Sequence, residues 1–215
     1  MESALHLFTV GPFGKAVARH LRTVIEFRNT TVADEVMPDQ VWSMAAAINV
    51  VVAWRPVPTL CAILDDLSFE RRTRFLPLIL DGTVMMVGPF IVPGAGSCWH
   101  CWNLRCQQHA AGPNEREALL DYYASHPEEG PDGYLEPFAM MGAARINEAV
   151  TLFQRAQAIP SAIWQIDMLS LDITQTVAVG VNDCPRCGLR RPPATRSFSE
   201  LQKRLAYLWP ETPNE

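Results

Sequence analysis

The sequence predicts an α/β fold, a Rossmann-like, mostly parallel sheet flanked by helices, with a four-cysteine metal site stapling its C-terminal half. Three observations carry this reading. Apolar runs at 4–10, 48–54 and 75–80 have the length and continuity of strands buried on both faces, as in the interior of a parallel sheet. The first run is followed by a glycine turn, Gly11-Pro-Phe-Gly14, and an amphipathic stretch from Lys15 to Leu21, the strand–turn–helix opening of a Rossmann-type unit. Two Cys-x-x-Cys hooks, Cys98-Trp-His-Cys101 and Cys184-Pro-Arg-Cys187, stand 82 residues apart.

The elements follow in order. After 4–10 and the 15–21 helix, a short second strand is expected at 24–28 (VIEFR) and a helix at 38–47. Strand 48–54 ends at Pro56 and Pro58, a helix fills 59–73, and strand 75–80 runs into the turn signal Asp81-Gly82. Residues 83–92 form one or two strands broken at Gly88-Pro89. The Gly-, Pro- and charge-rich stretch 111–135 is expected to be an exposed insertion carrying a helix at 114–124, N-capped by Asn114 with Glu115 and Glu117 in its first turn. A long helix at 136–157 and alternating strands at 162–169 and 174–181 lead to the second hook. A capping box, Ser197 with Glu200, opens a C-terminal helix at 197–209 that places Phe198, Leu201, Leu205 and Leu208 at helical spacing. The expected organisation is a single domain over 1–215: a Rossmann-like half (1–95), a metal-stapled half (96–190), and a C-terminal helix and tail (191–215).

With 48% hydrophobic residues the chain can bury a sizeable core, and its formal charge of −5 argues against a nucleic-acid partner. No stretch is long and apolar enough to span a bilayer, and the N-terminus lacks the basic start and small-residue cleavage site of a secretory signal. A cytoplasmic, reducing location is therefore expected, which favours metal over disulfide for most of the six cysteines. Four thiolates from two hooks close a tetrahedron around one zinc ion, with Pro185 stiffening the second turn and Gly188 bending behind it. Disulfides, a redox Cys-x-x-Cys and two unrelated pairs are the competing readings. His100 lies inside the first hook as a substitute ligand, Trp99 and Trp102 flank it, Cys61 belongs to an apolar run, and Cys106 beside Arg105 is the remaining candidate nucleophile.

A dinucleotide fingerprint asks for G-x-G-x-x-G after the first strand. Here Thr9-Val-Gly11-Pro-Phe-Gly14 lacks the first glycine, and Pro12 removes an N–H that a phosphate would use. Gly11, Gly14 and Lys15 are the candidate cofactor-binding residues, against a purely structural role in the turn and in close helix–strand packing. Glu26 could meet a ribose, Arg71, Arg72 and Arg74 could supply charge for phosphates, and Asp65-Asp66 could hold magnesium. Against these stand a solvated helix face for Lys15 and the arginines and an inert acidic turn for the Asp pair.

The order of these features resembles one family. A degenerate Gly loop is followed by Asp65-Asp66 before an arginine-bearing helix end, then Leu76-Pro-Leu-Ile-Leu-Asp-Gly82 and Val87-Gly-Pro-Phe-Ile-Val-Pro93. Cys98-x-x-Cys101, a helical stretch, two strands and Cys184-Pro-x-Cys187 complete it. The pattern is similar to the ThiF/MoeB group of ubiquitin-activating-like proteins over nearly the whole chain, most specifically at 75–104 and 177–188. The resemblance implies that the four cysteines bind a structural zinc. Gly88-Pro-Phe-Ile-Val-Pro-Gly94 with Cys98-Trp-His-Cys-Trp-Asn-Leu-Arg105 resembles the branch found in biosynthesis of thiazole/oxazole-modified peptides and related bacteriocins.

That branch implies a ThiF-like partner of a YcaO-type cyclodehydratase, which uses ATP to close cysteine, serine or threonine side chains of a precursor peptide into azoline rings. The resemblance implies no catalytic residue and no ATP in this chain, and a role in docking. Adenylating members keep a full glycine loop and basic residues after the second strand, both missing here. Many members of the branch carry an N-terminal winged-helix leader-binding module. A first strand at residue 4 leaves it no room, so the precursor would be recognised through a separate chain or through another surface of this one. The alternative is an ATP-dependent enzyme that adenylates a peptide or carrier-protein carboxylate; a nicotinamide oxidoreductase is a more distant rival. The group also implies a possible homodimer, to which Trp54, Met85, Met86, Trp99 and Trp102 could contribute.

Overall fold

The structure, a computed structural model, describes residues 5–32, 46–110, 112–131, 133–182 and 184–188. The C-terminal helix expected at 197–209 and all but the last two residues of the helix expected at 38–47 lie outside the described residues. The element order is β1 (Leu5–Val10), α1 (Gly11–Leu21), β2 (Arg28–Thr31), β3 (Ile48–Ala53), α2 (Pro58–Arg71), β4 (Arg74–Asp81) and β5 (Val84–Val87). Then come α3 (Trp99–Gln108), α4 (Pro113–Ser125), α5 (Glu136–Gln154), β6 (Ala162–Asp167) and β7 (Ile173–Val177).

One seven-stranded sheet runs in the order β2-β1-β3-β4-β5-β6-β7. The first four strands are parallel, and β5, β6 and β7 continue antiparallel. The sheet is thus mixed rather than mostly parallel. The reason is local: Asp81 pairs with Val84, so only Gly82 and Thr83 join β4 to β5. Two residues suffice for a hairpin, whereas a parallel return needs a crossover of a dozen or more.

Helices cover both faces. Phe13, Val17 and Leu21 of α1 and Ala139, Ala143 and Ile146 of α5 pack with Leu7, Val50, Val52 and Leu78 on one side. Leu60 and Leu64 of α2 and Trp99 of α3 pack with Phe8, Val51, Ala53 and Phe75 on the other. This two-sided cover explains why β1 is buried at every position and why its sequence shows no alternation.

The second strand lies later than expected, at Arg28–Thr31 instead of 24–28. The N–H groups of Thr23, Val24 and Ile25 are taken by the last carbonyls of α1, so that apolar run finishes the helix and cannot join the sheet. α4 is N-capped by Gly112 rather than Asn114 and buries none of its residues, in keeping with an exposed insertion. The 126–135 segment nevertheless crosses the C-terminal edge of the sheet: the Pro127 carbonyl accepts from Arg55 at 3.2 Å, and the Tyr134 ring meets Phe13 edge-on. No helix among the described residues is long and apolar enough to cross a membrane.

Candidate functional site

The two hooks meet. Sγ atoms of Cys98, Cys101, Cys184 and Cys187 all lie within 4.8 Å of one another, in a buried cluster against Phe69 and Val181. Cys98 is the N-cap of α3 and Cys101 sits in its first turn, so the helix itself aims both sulfurs to one side. The second hook turns through an N–H of Gly188 to the Cys184 carbonyl at 2.8 Å. A Cβ on Gly188 would meet that carbonyl oxygen at 2.5 Å, so only glycine closes the turn.

The donor set fits a tetrahedral cation. Sulfur separations are 3.6 Å (Cys98–Cys101), 3.6 Å (Cys98–Cys184) and 3.4 Å (Cys101–Cys187), close to the ~3.8 Å edge of a zinc tetrathiolate with bonds of ~2.3 Å. None of the six cysteines is joined in a disulfide. His100 is exposed and outside the cluster, and among the described residues no carboxylate joins it. Burial pushes the Cys98 thiol up and takes that of Cys187 to about 11. At Cys184 burial acts in the same direction, but the N–H groups of Cys187 and Arg186 outweigh it and bring the thiol down to about 6. Four thiolates around a divalent cation would leave two negative charges. The Arg186 guanidinium and the N-terminus of α3 lie where they offset that charge, and the Val181 N–H meets Cys101 Sγ at 3.2 Å.

Asp65 and Asp66 brace this cluster. Asp65, 1% exposed at its side chain, accepts the Trp99 N–H at 3.2 Å and pairs with Arg186, which also reaches Asp66. The acidic pair thus links α2 to both hooks, engaged by Arg186 where a magnesium ion was one reading. Burial is the main influence on Asp65 and raises it, while the Trp99 N–H and Arg186 pull it back. The only sequence signal for this brace was Arg186 inside the second hook.

The second candidate site is the crevice at the C-terminal ends of β1 and β3, where strand order reverses and sheets of this kind bind ligands. It holds the side chain of Trp54. Gly11, at φ +72°, lies so close that a Cβ would meet the indole at 2.4 Å, and a Cβ on Gly130 would meet its other ring at 2.5 Å. The indole is therefore layered between the start of α1 and the crossing segment. Gly14 approaches β3, where a Cβ would stand 2.6 Å from the Val52 carbonyl oxygen. Lys15 is exposed on α1.

The other phosphate and ribose candidates do not join them. Arg74 is level with Ile48 and Leu5, five residues from the Val10–Ala53 level of the crevice, or about 17 Å along the strands. Arg71 and Arg72 sit at that same far edge. Glu26 precedes β2 instead of ending it. Cys61 is core. Cys106 lines a groove with Met86, Trp102 and Leu120, and burial holds its thiol above the usual range, a resting rather than an activated sulfur. Met85 and Trp99 are buried in the core, not on a surface.

No protein-family model and no curated protein sequence matches the chain. Solved structures do share its fold. The heterocyclase TruD superposes with a TM-score of 0.62 at 18% identity, covering 87% of this chain and 28% of TruD. E. coli MccB gives 0.60 at 15% identity, covering 89% of this chain and 67% of MccB. A chain of the E. coli microcin synthetase McbBCD complex gives 0.61 at 10% identity, covering 85% of this chain and 68% of that one. The chain thus spans under a third of the length of TruD. At these identities the likeness shows the fold alone: a mixed α/β sheet flanked by helices.

Proposed function

We propose that this chain is a ThiF-like, zinc-containing partner that docks to a YcaO-type cyclodehydratase and supports azoline formation on a ribosomal precursor peptide, in the cytoplasm, without nucleotide chemistry of its own. The carrying observation is the contrast between two sites on one sheet. The thiol cluster is complete and braced, whereas the crevice is filled by Trp54 between Gly11 and Gly130. Pro12 further removes a backbone donor at the helix start. The fold neighbours TruD and McbBCD, one named a heterocyclase and the other a microcin synthetase complex, support the same reading.

In this reading Cys98, Cys101, Cys184 and Cys187 hold the ion, which supplies structural cross-linking and no reaction step. The chain's own residues then provide a rigid docking body. The peptide is engaged through a separate leader-binding chain, and the ATP-using step belongs to the partner.

The test has two arms. The purified chain alone should give no ATP–pyrophosphate exchange with any peptide, and it should co-purify with its cyclodehydratase and raise that enzyme's ring-forming rate. Robust exchange by the lone chain would instead support the adenylating alternative. In that case Mg-ATP binding should be lost on changing Lys15 to Ala and unaffected by Arg71→Ala, given the distance between the two.

A further inference from the structure

A groove lies on the α2–α3 face of the sheet, away from α1 and α5, and neither the sulfur cluster nor the Trp54 crevice uses it. Its floor is strand: Ile79 of β4, and Met86 of β5 in register with Gln165 of β6. α3 supplies one wall, because Trp99, Trp102 and Cys106 follow at intervals of three and four residues and so share a face of the helix, with His109 at its C-cap. α4 supplies another through Arg116 and Leu120, four residues apart. Pro56 and Pro58 form a rim at the start of α2. The groove has a volume of about 470 Å³, inside the ~300–1,000 Å³ range of small-molecule sites.

Most of this lining is fixed before any ligand arrives. The Trp99 N–H is held by Asp65 at 3.2 Å and its ring stands edge-on to Phe75, while the prolines stiffen the rim. α4 differs: none of its residues is buried, and Arg116 ties it to the sheet through Asp81 at 3.1 Å. A helix gains most of its stability from packing an apolar face, so a body seated between Leu120 and Trp102 would supply contact that α4 lacks. The charge is lopsided. Two guanidinium groups and an imidazole line the groove against the single carboxylate of Asp81, in a chain of formal charge −5. Asp81 is engaged by Arg116, whereas Arg105 donates to the neutral amide oxygen of Gln108 at 3.3 Å and pairs with no carboxylate among the described residues.

We propose that this groove binds a small apolar carboxylate, with its unsaturated body on Met86, Trp102 and Leu120 and its charge against Arg105. An indole face and a thioether suit a flat apolar body. A guanidinium takes a carboxylate through two parallel N–H bonds, so a neutral relative of the same ligand keeps only the apolar part of the affinity and a cationic one loses some of that too. Cys106 takes no chemical part; its half-buried thiol lines the groove and reports whether the groove is filled. This inference does not depend on the functional reading given above.

The test uses three probes that share one body and differ in charge. Full-length chain as purified is treated with N-ethylmaleimide, and alkylation of Cys106 is followed by peptide mass spectrometry. Naphthalene-2-carboxylate, naphthalene-2-methanol or 2-naphthylmethylamine is present at about 1 mM. The carboxylate should slow the reaction about fivefold, the alcohol less than about twofold, and the ammonium not at all. Arg105→Gln, with its fold checked by circular dichroism, should cut the carboxylate's protection to that of the alcohol and leave the alcohol's unchanged. Arg105→Lys should retain part of it, as a point charge without the fork. No protection by the carboxylate, equal protection by all three probes, or undiminished protection in Arg105→Gln would overturn the proposal. So would a Cys106 that resists alkylation with no probe present, since the groove would then be closed.

Discussion

Single residues set the closest tolerances. Gly14 lets α1 approach β3, and a Cβ there would stand 2.6 Å from a backbone oxygen that cannot swing aside. Gly14→Ala should therefore cost about 1–3 kcal/mol, seen as a lower urea midpoint with an unchanged slope. His6 carries a pH dependence. Burial first, and the Arg28 guanidinium second, hold its imidazole down at about 4 instead of the ordinary 6.5. Between those values the unfolded chain binds the proton and the folded one does not, so this contribution is complete above pH 6.5 and falls away towards pH 4. Urea midpoints measured at pH 7 and pH 5 should differ more for wild type than for His6→Gln. Equal differences would remove His6 from the account.

Elements show where sequence patterns carry information and where they do not. β3 and β4 were legible because both faces of each are buried, which leaves an unmixed apolar run. β2 was not, because an edge strand reading Arg-Asn-Thr-Thr needs no apolar face, while the apolar residues before it complete the end of α1. α3 was hidden for a different reason: it buries only Trp99 and Cys101, so its helical period is masked by the spacing of the Cys-x-x-Cys hook. The sulfur cluster could be read in advance because two Cys-x-x-Cys hooks carry the chemistry in the spacing itself. Trp54 could not, since nothing in its neighbourhood tells that Gly130 returns 76 residues later to cover it. Truncating that indole should release the crossing segment: Trp54→Ala should cost about 2 kcal/mol and speed cleavage by a glutamate-specific protease at Glu128-Glu129. The brace at α2 is equally testable. Asp65→Asn leaves Arg186 without its buried partner and should cost about 2 kcal/mol, with faster loss of metal to a chelator.

At the scale of the whole molecule, the four sulfurs connect the N-terminus of α3 to the segment that follows β7, across 82 intervening residues. Closing so large a loop removes more freedom from the unfolded chain than closing a small one, so metal binding should stabilise globally rather than locally. Purified chain should contain one equivalent of zinc, and Cys184→Ser should lose it. Chelation or acidification, which protonates the thiolate ligands, should lower the thermal midpoint and expose the β5–β7 meander to hydrogen exchange before the parallel strands. A chain free of metal and equally stable would remove the cluster's structural role.

The same loop imposes an order on biosynthesis. Cys98 and Cys101 leave the ribosome long before their counterparts exist, and for that interval they are an open pair of nucleophiles held by a nascent helix. A premature oxidant or a mismatched ion can capture them before residue 187 arrives. Until then the first hook stands without the second half of its cluster, however complete the parallel strands already are.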